Sequence, residues 1–348
     1  MRQSRLAVLG VAGGFLFSWA AWAGEPDPTL SGPTRGSSIH LAYYPATPRA
    51  AGMGGATVAL PGVDSHNPAA WAFYQGYDAA FDYGRLRFRH GPDIDIARSH
   101  LVFPALGGTM KLMGYGMRSD RDERSRMLGM DAEVRAHELG VGYGREIKLP
   151  EGWGRLAIGG AGFPYDPSGL RLRPHGGGDV FARGRGMSRV GSARLGVLYE
   201  PEPHVSFGLQ FDHIIDRLSA HYPGIPFHVG ERRDDYVANI VTVGVAVRPP
   251  IPALSETTVL TAQYLTGGVH GENLDYHPHI PAIGLEHQVF KWLAVRVGAL
   301  YSHPTAGLGL KLPHGWRVDY AYLHDYGKDI RSAFGVGPLH ILGVGREF

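Results

Sequence analysis

From residue 77 onward, the chain alternates between apolar positions and small or polar positions with a period of two. In the segment 138–146, Leu139, Val141 and Tyr143 share one parity, and three glycines share the other. Successive side chains of a β-strand point to opposite faces, so this pattern predicts strands with one apolar face and one small or polar face. The alternation recurs in fourteen segments, near 77–89, 94–103, 108–118, 132–147, 153–163, 188–200, 204–215, 236–248, 256–266, 278–289, 292–302, 306–312, 316–324 and 339–348.

The connections between these segments also alternate, because tight turns rich in Gly and Pro separate segments that are mostly longer and polar. Turns such as 104–107 and 201–204 contrast with connections such as 119–131 and 164–187. Short turns at one end and long loops at the other are typical of an outer-membrane β-barrel, which has an even number of strands. We therefore predict an all-β fold, a transmembrane antiparallel barrel of about fourteen strands over residues 77–348. The alternative is a soluble β-sandwich, whose apolar face would be interior.

The first residues predict export from the cytoplasm. Arg2 and Arg5 precede the apolar stretch Leu6–Trp19, and Ala21-Trp22-Ala23 follows it. A basic start, a short apolar centre and an A-x-A end are typical of a signal peptide. The apolar centre is shorter than the ~20 residues of a spanning helix. We expect cleavage after residues 1–23 and a mature protein in a Gram-negative type outer membrane.

Composition narrows the chemistry further. The 348 residues carry a net charge of +2, contain 51 glycines and lack cysteine. A balanced charge gives no support for nucleic acid as a partner, and the missing cysteines exclude disulfides and thiolate catalysis. The chain also lacks the common hydrolase, zinc-protease and phosphate-binding motifs. We therefore predict no enzymatic activity, no cofactor and no metal site.

The segment 24–76 does not alternate, and it carries a family resemblance. It contains Arg49-Ala-Ala-Gly-Met-Gly-Gly-Ala-Thr-Val-Ala-Leu60, then Asn67-Pro68-Ala69-Ala70. This resembles the start of the FadL superfamily of outer-membrane transporters for hydrophobic compounds. The final stretch, Trp316–Phe348, is more similar to the PorV/PorQ branch. The resemblance implies a 14-stranded barrel with the N-terminal segment folded into the lumen as a plug, although residues 61–66 have one acid where relatives carry an acidic stretch.

The residues themselves favour a plug as well. Glycines at 52, 54 and 55 allow backbone conformations and close approaches that other residues do not. Asn67, which precedes a proline, is biased to an extended conformation, and its amide can bond nearby backbone. The plug motif is therefore Gly52, Gly54, Gly55, Asn67 and Pro68; the alternative is a flexible periplasmic tail.

Other candidate positions follow from strand phase and from closeness to the plug motif. Charges predicted to face the lumen have both signs, which favours ion pairs that brace a plug over an ion-selective pore: Asp82, Arg194, Asp212, Glu286, Arg296, Lys311 and Asp319. Aromatic residues that could line a ligand pocket are Trp71, Phe73, Tyr74, Phe163 and Phe181.

Phe348 ends the last predicted strand and resembles the signal that outer-membrane barrel-assembly machinery recognises. Arg346, on the same parity, replaces the aromatic residue that is commoner there. Expected partners are outer-membrane lipid, lipopolysaccharide and the assembly machinery, with either a hydrophobic small molecule or a secretion-system protein. Two functions remain open: passive uptake of hydrophobic small molecules, and a PorV-like scaffold of a secretion system.

Overall fold

The computed structural model describes ten segments of the chain, and the predicted signal peptide lies outside them. The described segments are residues 47–87, 93–119, 130–165, 169–174, 187–221, 231–252, 254–271, 274–301, 303–324 and 337–348. Residues 24–46 of the predicted plug segment and Phe181 also lie outside the described residues.

Sixteen strands in the described residues form one antiparallel sheet. They are β1 Asp78–Leu86, β2 Ile94–Ala105, β3 Gly108–Ser119, β4 Met130–Ile147, β5 Arg155–Tyr165, β6 Gly169–Pro174, β7 Met187–Glu202, β8 Val205–His221, β9 Glu231–Val247, β10 Thr258–Gly271, β11 Leu274–Tyr276, β12 His279–Phe290, β13 Leu293–Leu300, β14 His303–Lys311, β15 Trp316–Leu323 and β16 Leu339–Glu347.

Fourteen of these strands close into a barrel. The ring is sealed where β1 pairs with β16, in a register that runs from Asp78 opposite Glu347 to Leu86 opposite Leu339. The prediction of a closed antiparallel barrel of fourteen strands is confirmed. Closure pairs the backbone groups that an open edge would leave exposed, which a bilayer would not tolerate.

Two short strands lie off the ring, in stretches that the sequence pattern predicted as loops. β6 pairs with the extension of β4, from Met130 opposite Pro174 to Arg135 opposite Gly169. β11 folds back on the end of β10. The sequence pattern predicts long loops at 164–187 and also at 267–277. These predictions are wrong over β6 and over β11 with the end of β10, because β4 and β10 continue beyond the ring and their free edges accept a partner strand.

The barrel has two different ends, which we call the short-turn end and the long-loop end. At the short-turn end two residues join β2 to β3, and two join β7 to β8. The long-loop end contains the connections 120–129, 166–186 and 325–336, which lie outside the described residues, apart from β6. β1 starts and β16 finishes at the short-turn end, as an even number of strands requires.

The outer face of the barrel is apolar. On β14, Leu308 is 48% exposed while its neighbours Gly307 and Gly309 are buried, and β8 repeats this pattern with Phe207 and Gly208. Contiguous exposed apolar surface on this scale is stable only against an apolar phase. The soluble sandwich, whose apolar face would be inside, is therefore excluded. At the short-turn end six of the exposed large side chains are aromatic: Tyr77, Trp153, Phe290, Trp292, Trp316 and Phe348.

Helices are short in the described part of the chain. They are an α-helix at Pro48–Gly52 (α1) and 3₁₀ helices at Pro68–Phe73 and Pro313–Gly315. In the segments that the structure describes, none is long and apolar enough to cross a bilayer.

Candidate functional site

The described part of the N-terminal segment, residues 47–76, crosses the bore of the barrel. Its first helix, α1, packs against β13 to β16. The 3₁₀ helix Pro68–Phe73 packs against β3, β4, β5 and β7 on the opposite wall. We call residues 47–76 the plug, because their backbone spans the lumen from one wall to the other.

The predicted glycines allow the plug to turn and to touch the wall. Gly54 and Gly55 follow α1 with φ angles of 65° and 77°, in the left-handed region that other residues rarely adopt. Gly52 lies so close to β14 that a Cβ atom on it would stand 3.0 Å from the Cα of Gly307. Thr305, on the same strand, donates a hydrogen bond of 3.0 Å to the carbonyl of Gly52.

Asn67 fixes the second half of the plug. Its side-chain oxygen accepts a hydrogen bond from the backbone N–H of Ala69 at 3.0 Å, which caps the 3₁₀ helix that Pro68 begins. Its amide nitrogen donates to the carbonyls of Val58 in the plug and Val197 in the wall, each at 2.9 Å. A fully buried side chain with partners on both sides joins the plug to β7.

A belt of wall glycines makes room for the plug. A Cβ atom on any of them would come within 3.0 Å of a plug atom, so side chains are excluded there. The contacts are with backbone or tightly packed atoms of the plug, from Pro48 to Trp71. The glycine belt consists of Gly142, Gly144, Gly159, Gly196, Gly208, Gly244, Gly284, Gly298, Gly307 and Gly343.

Charged side chains join the plug to the wall on the other side. Glu286 of β12 accepts hydrogen bonds from Arg49 of α1 and from Arg296 of β13, each at 2.6 Å. Arg49 also reaches Asp64 within the plug, at 3.2 Å. One wall carboxylate therefore bridges a plug arginine and a wall arginine.

The same chain of ion pairs continues around the wall. Arg296 binds Asp319 at 2.6 Å, and Arg317 lies 3.9 Å from the other oxygen of Asp319. Arg317 also binds Asp78, whose second partner is His100 at 2.7 Å. We call this set the ion-pair chain: Asp64, Arg49, Glu286, Arg296, Asp319, Arg317, Asp78 and His100.

The plug carboxylate of this chain is held in its charged form. Burial alone would disfavour the ionised Asp64, but the positive charges of Arg49 and Arg317 outweigh burial and hold its pKa well below the usual range. Lys111 adds another positive charge and donates a 2.6 Å hydrogen bond to the carbonyl of Val63. Asp64 therefore remains ionised at neutral pH and keeps its charge in the contact with Arg49.

The other predicted lumen charges have different surroundings. Arg194 pairs with Asp212, and its guanidinium lies 3.4 Å from the carbonyl oxygen of His66 in the plug. Asp82 is buried and faces the lumen from β1. Lys111 was not among the predicted charges, although its strand phase also points inward. Lys311 ends β14 at the short-turn end, where it is exposed, so it does not take part in the ion-pair chain.

The predicted aromatic positions lie mostly at the plug instead of at an open surface. Trp71 is buried, and its indole N–H donates to the carbonyl of Ser65 at 3.0 Å. Phe73 lies under the guanidinium of Arg155, and Tyr74 donates to the carbonyl of Tyr77. Phe163 faces inward against Gly140.

Two apolar surfaces formed by buried, inward-facing side chains lie toward the long-loop end. One covers β15, β16, β1 and β2, and the other covers β8, β9 and β10. The first consists of Leu86, Ile94, Ile96, Ala321, Leu323, Leu339 and Ile341, with Ala51 of the plug. The second consists of Ile214, Ala238, Ile240, Leu265 and Val269, with Ile280 packed against it.

The sequence analysis did not select these residues, although a signal was present. In parts of some strands, the inward-facing and the outward-facing side chains are both apolar, as with Ile341 and Leu342 of β16. An apolar side chain that faces inward indicates an apolar neighbour inside the barrel and not a lumen filled only with water. The short-turn half differs, because there Leu198, Ala246 and Val259 of the wall pack directly against Met53 and Val58 of the plug. The plug therefore packs against the wall in the short-turn half, whereas the inward side chains toward the long-loop end form two buried apolar clusters.

Among the described residues, no group of three or more His, Asp or Glu side chains could hold a metal ion.

Comparisons with known proteins agree with this architecture. No family model matches the chain, and no curated protein matches it. Solved structures do match. The toluene transporter TbuX of Ralstonia pickettii aligns with a TM-score of 0.57 and 12% identity, over 87% of this chain and 98% of that one. The toluene transporter TodX of Pseudomonas putida gives 0.52 and 13%, over 86% and 97%.

A FadL homologue of Pseudomonas aeruginosa aligns with a TM-score of 0.54 and 12% identity, over 87% of this chain and 98% of that one. At such identities the likeness establishes the fold. The protein is a fourteen-stranded barrel of the FadL type, so the resemblance seen in the sequence is confirmed at the level of architecture. A closer relation to the PorV/PorQ branch stays a prediction.

Proposed function

We propose that the protein is an outer-membrane channel for the passive uptake of hydrophobic small molecules. The observation that carries this proposal is that the inward-facing side chains of the wall toward the long-loop end are apolar, in two buried clusters. Porin lumens are polar and water-filled. Apolar walls above a plug instead favour ligands that gain free energy on leaving water, at about 25 cal/mol per Å² of apolar surface buried.

The charges of the lumen support the same function. In the ion-pair chain, acidic side chains are paired with basic ones, which leaves little net field for selecting ions. The fold is shared with proteins described as toluene transporters and as a monoaromatic hydrocarbon channel. Such compounds, or molecules of similar apolarity, are the ligand class that we assign to this channel.

The proposal includes the assignment of the chain's segments. Residues 1–23 are a signal peptide, residues 24–76 form the plug and residues 77–348 form the barrel. The apolar outer face lies in the lipid of the outer membrane, with lipopolysaccharide around the long-loop end, and Phe348 is the signal for the assembly machinery. Of the aromatic residues predicted to line a ligand pocket, Phe163 directly precedes the longest predicted loop, 164–187, and Phe181 lies within it.

An uptake assay tests the channel function. Full-length protein in vesicles whose outer leaflet is lipopolysaccharide, which slows hydrocarbon entry, is expected to accelerate entry of radiolabelled toluene. Ile96→Asn and Ile240→Asn, which place an amide on each apolar surface, should reduce the rate. Ile96→Val and Ile240→Val are matched controls, because they keep both surfaces apolar. Heat-modifiable mobility on gels verifies that each variant is a folded barrel. Uptake no faster than in empty vesicles, or asparagine variants as active as the valine controls, would contradict the proposal.

The scaffold alternative has one observation in its favour, namely that the plug closes the short-turn half of the lumen. A scaffold would show no uptake in any variant. It would instead retain an exported protein when solubilised membranes are fractionated.

A further inference from the structure

The guanidinium of Arg346 lies between two aromatic rings on the outer face of the barrel. Arg346 belongs to β16 near the short-turn end, and its neighbour Gly345 faces inward against Arg317. The guanidinium carbon is 5.4 Å from the ring centroid of Trp316 and 4.6 Å from that of Phe348. Both distances are within the range of cation–π contacts.

No carboxylate of the described residues forms an ion pair with Arg346, and its Nε is shielded from solvent without a hydrogen-bond partner. The nearby acid Glu347 has its oxygen 3.6 Å from Arg317 instead. A shielded donor on a charged group without an acceptor costs free energy, and a structure usually supplies a partner for it. Arg346 as a whole is only partly buried, so an anion from outside the chain can approach the rest of its guanidinium group.

The surface next to Arg346 is suited to hydrocarbon chains. Val344 and Leu342 continue along the same face of β16, and Phe81 lies beside them on β1; all three are exposed. They extend from the aromatic rings toward the middle of the outer belt. An anionic group that carries apolar chains would contact Arg346 and this stripe together.

We propose that Arg346, Trp316 and Phe348 bind the phosphodiester head group of a membrane glycerophospholipid. The planar guanidinium offers paired N–H donors that match two phosphate oxygens. The aromatic rings hold the guanidinium plane, and the acyl chains lie on Val344 and Leu342. Arg346 lies opposite Ala79 across the junction of β1 and β16, so the bound lipid covers the place where the barrel closes. The site depends on the outer face meeting lipid, and it is independent of transport.

Native mass spectrometry of the full-length protein in detergent tests this site. The protein is titrated with dioleoylphosphatidylglycerol, with dioleoylglycerol, which has the same chains without phosphate, and with glycerol 3-phosphate, which has the phosphate without chains. We expect one phosphatidylglycerol to bind roughly tenfold more tightly than dioleoylglycerol, as a charge-assisted pair predicts. Glycerol 3-phosphate should bind much more weakly than either lipid.

Arg346→Gln should abolish the preference for phosphatidylglycerol, and Arg346→Lys should retain part of it. Arg248→Gln is the matched control at the same end, because Arg248 already donates to the carbonyl of Pro203 at 3.1 Å and lies 3.8 Å from Glu200. If Arg346→Gln does not fold, Trp316→Leu keeps the charge, and a reduced preference is expected. The proposal is overturned if wild type binds both lipids equally, if Arg346→Gln keeps the preference, or if Arg248→Gln loses as much. Equal affinity for glycerol 3-phosphate would mean a free-phosphate site and would overturn the lipid assignment.

Discussion

Replacing one glycine of the belt by alanine should loosen the plug. Gly298 of β13 faces the plug, and an added Cβ would stand 2.5 Å from the carbonyl carbon of Met53 and 2.6 Å from the N of Gly54. Both contacts are with backbone, and Gly54 is held at positive φ, so neither atom can rotate away. Either the plug or the wall must move when Gly298→Ala is introduced.

The expected magnitude follows from the cost of overpacking. An extra methyl in a closely packed interior typically costs 1–3 kcal/mol. If the plug absorbs that cost, the population with the plug displaced rises by roughly 5- to 150-fold. Gly162→Ala, on β5 of the opposite wall, is the control, because no atom lies within 4 Å of the position its Cβ would take. It carries the same change in strand propensity without the contact.

The assay exploits the absence of cysteine from the chain. Thr57→Cys places a single thiol on the plug at a position with no exposed surface, and the hydroxyl of Thr57 forms no hydrogen bond that would be lost. The rate at which a water-soluble maleimide labels this thiol reports how often the plug moves away from the wall. Labelling should be slow in the parent and in Gly162→Ala, and at least fivefold faster in Gly298→Ala. Equal rates in the two alanine variants would refute the role assigned to the belt.

Three further predictions concern the groups that hold the plug. Glu286→Gln should weaken the attachment of the plug to the wall by about 2 kcal/mol, since two arginines lose a charged acceptor. Maleimide labelling of Thr57→Cys should then be faster. Glu146→Gln, at an exposed ion pair, is the control and should have little effect. Asn67→Ala should weaken the attachment of the plug by about 2 kcal/mol, because it leaves buried carbonyls without a donor. Asn239→Ala, outside the bore, is its control. Equal labelling rates in the two variants would argue against the role of Asn67 in attaching the plug to β7. Because the folded-state pKa of Asp64 is lowered, its stabilising charge is present above the unfolded value of about 4 and is lost as pH falls through the lower folded value. The difference in melting temperature between wild type and Asp64→Asn should therefore be constant from pH 8 to pH 5 and shrink in stronger acid; a difference that vanishes near neutral pH would contradict this assignment.

The strands could be predicted from the sequence because their signal is local. Leu308 and Gly307 differ in parity, and that difference alone determines which of them faces lipid and which faces the plug. The even strand count follows from the same counting. The motif around Asn67 and Pro68 could also be singled out from the sequence, since its residues lie in one short stretch just before the first strand.

The partners of the plug could not be predicted, because they are distant in sequence. Arg49 and Glu286 are separated by 237 positions and meet only once the barrel is closed. The alternation of side chains along β12 predicts that Glu286 faces inward. It does not predict how far along the barrel axis Glu286 lies or which plug residue it contacts. The same limit explains the wrong prediction for Lys311. This residue has the inward parity of β14, but it lies at the exposed end of the strand.

The link between the plug and β1 limits how far the plug can travel. The 3₁₀ helix finishes at Phe73 and β1 begins at Asp78, so four residues connect them. A fully extended chain spans at most about 3.6 Å per residue, so this linker spans at most about 14 Å. Within the linker, the hydroxyl of Tyr74 donates a hydrogen bond to the carbonyl of Tyr77. A displaced plug would therefore stay attached to the barrel at the short-turn end, and in the proposed channel a ligand would have to pass beside the plug, because the plug cannot leave the barrel.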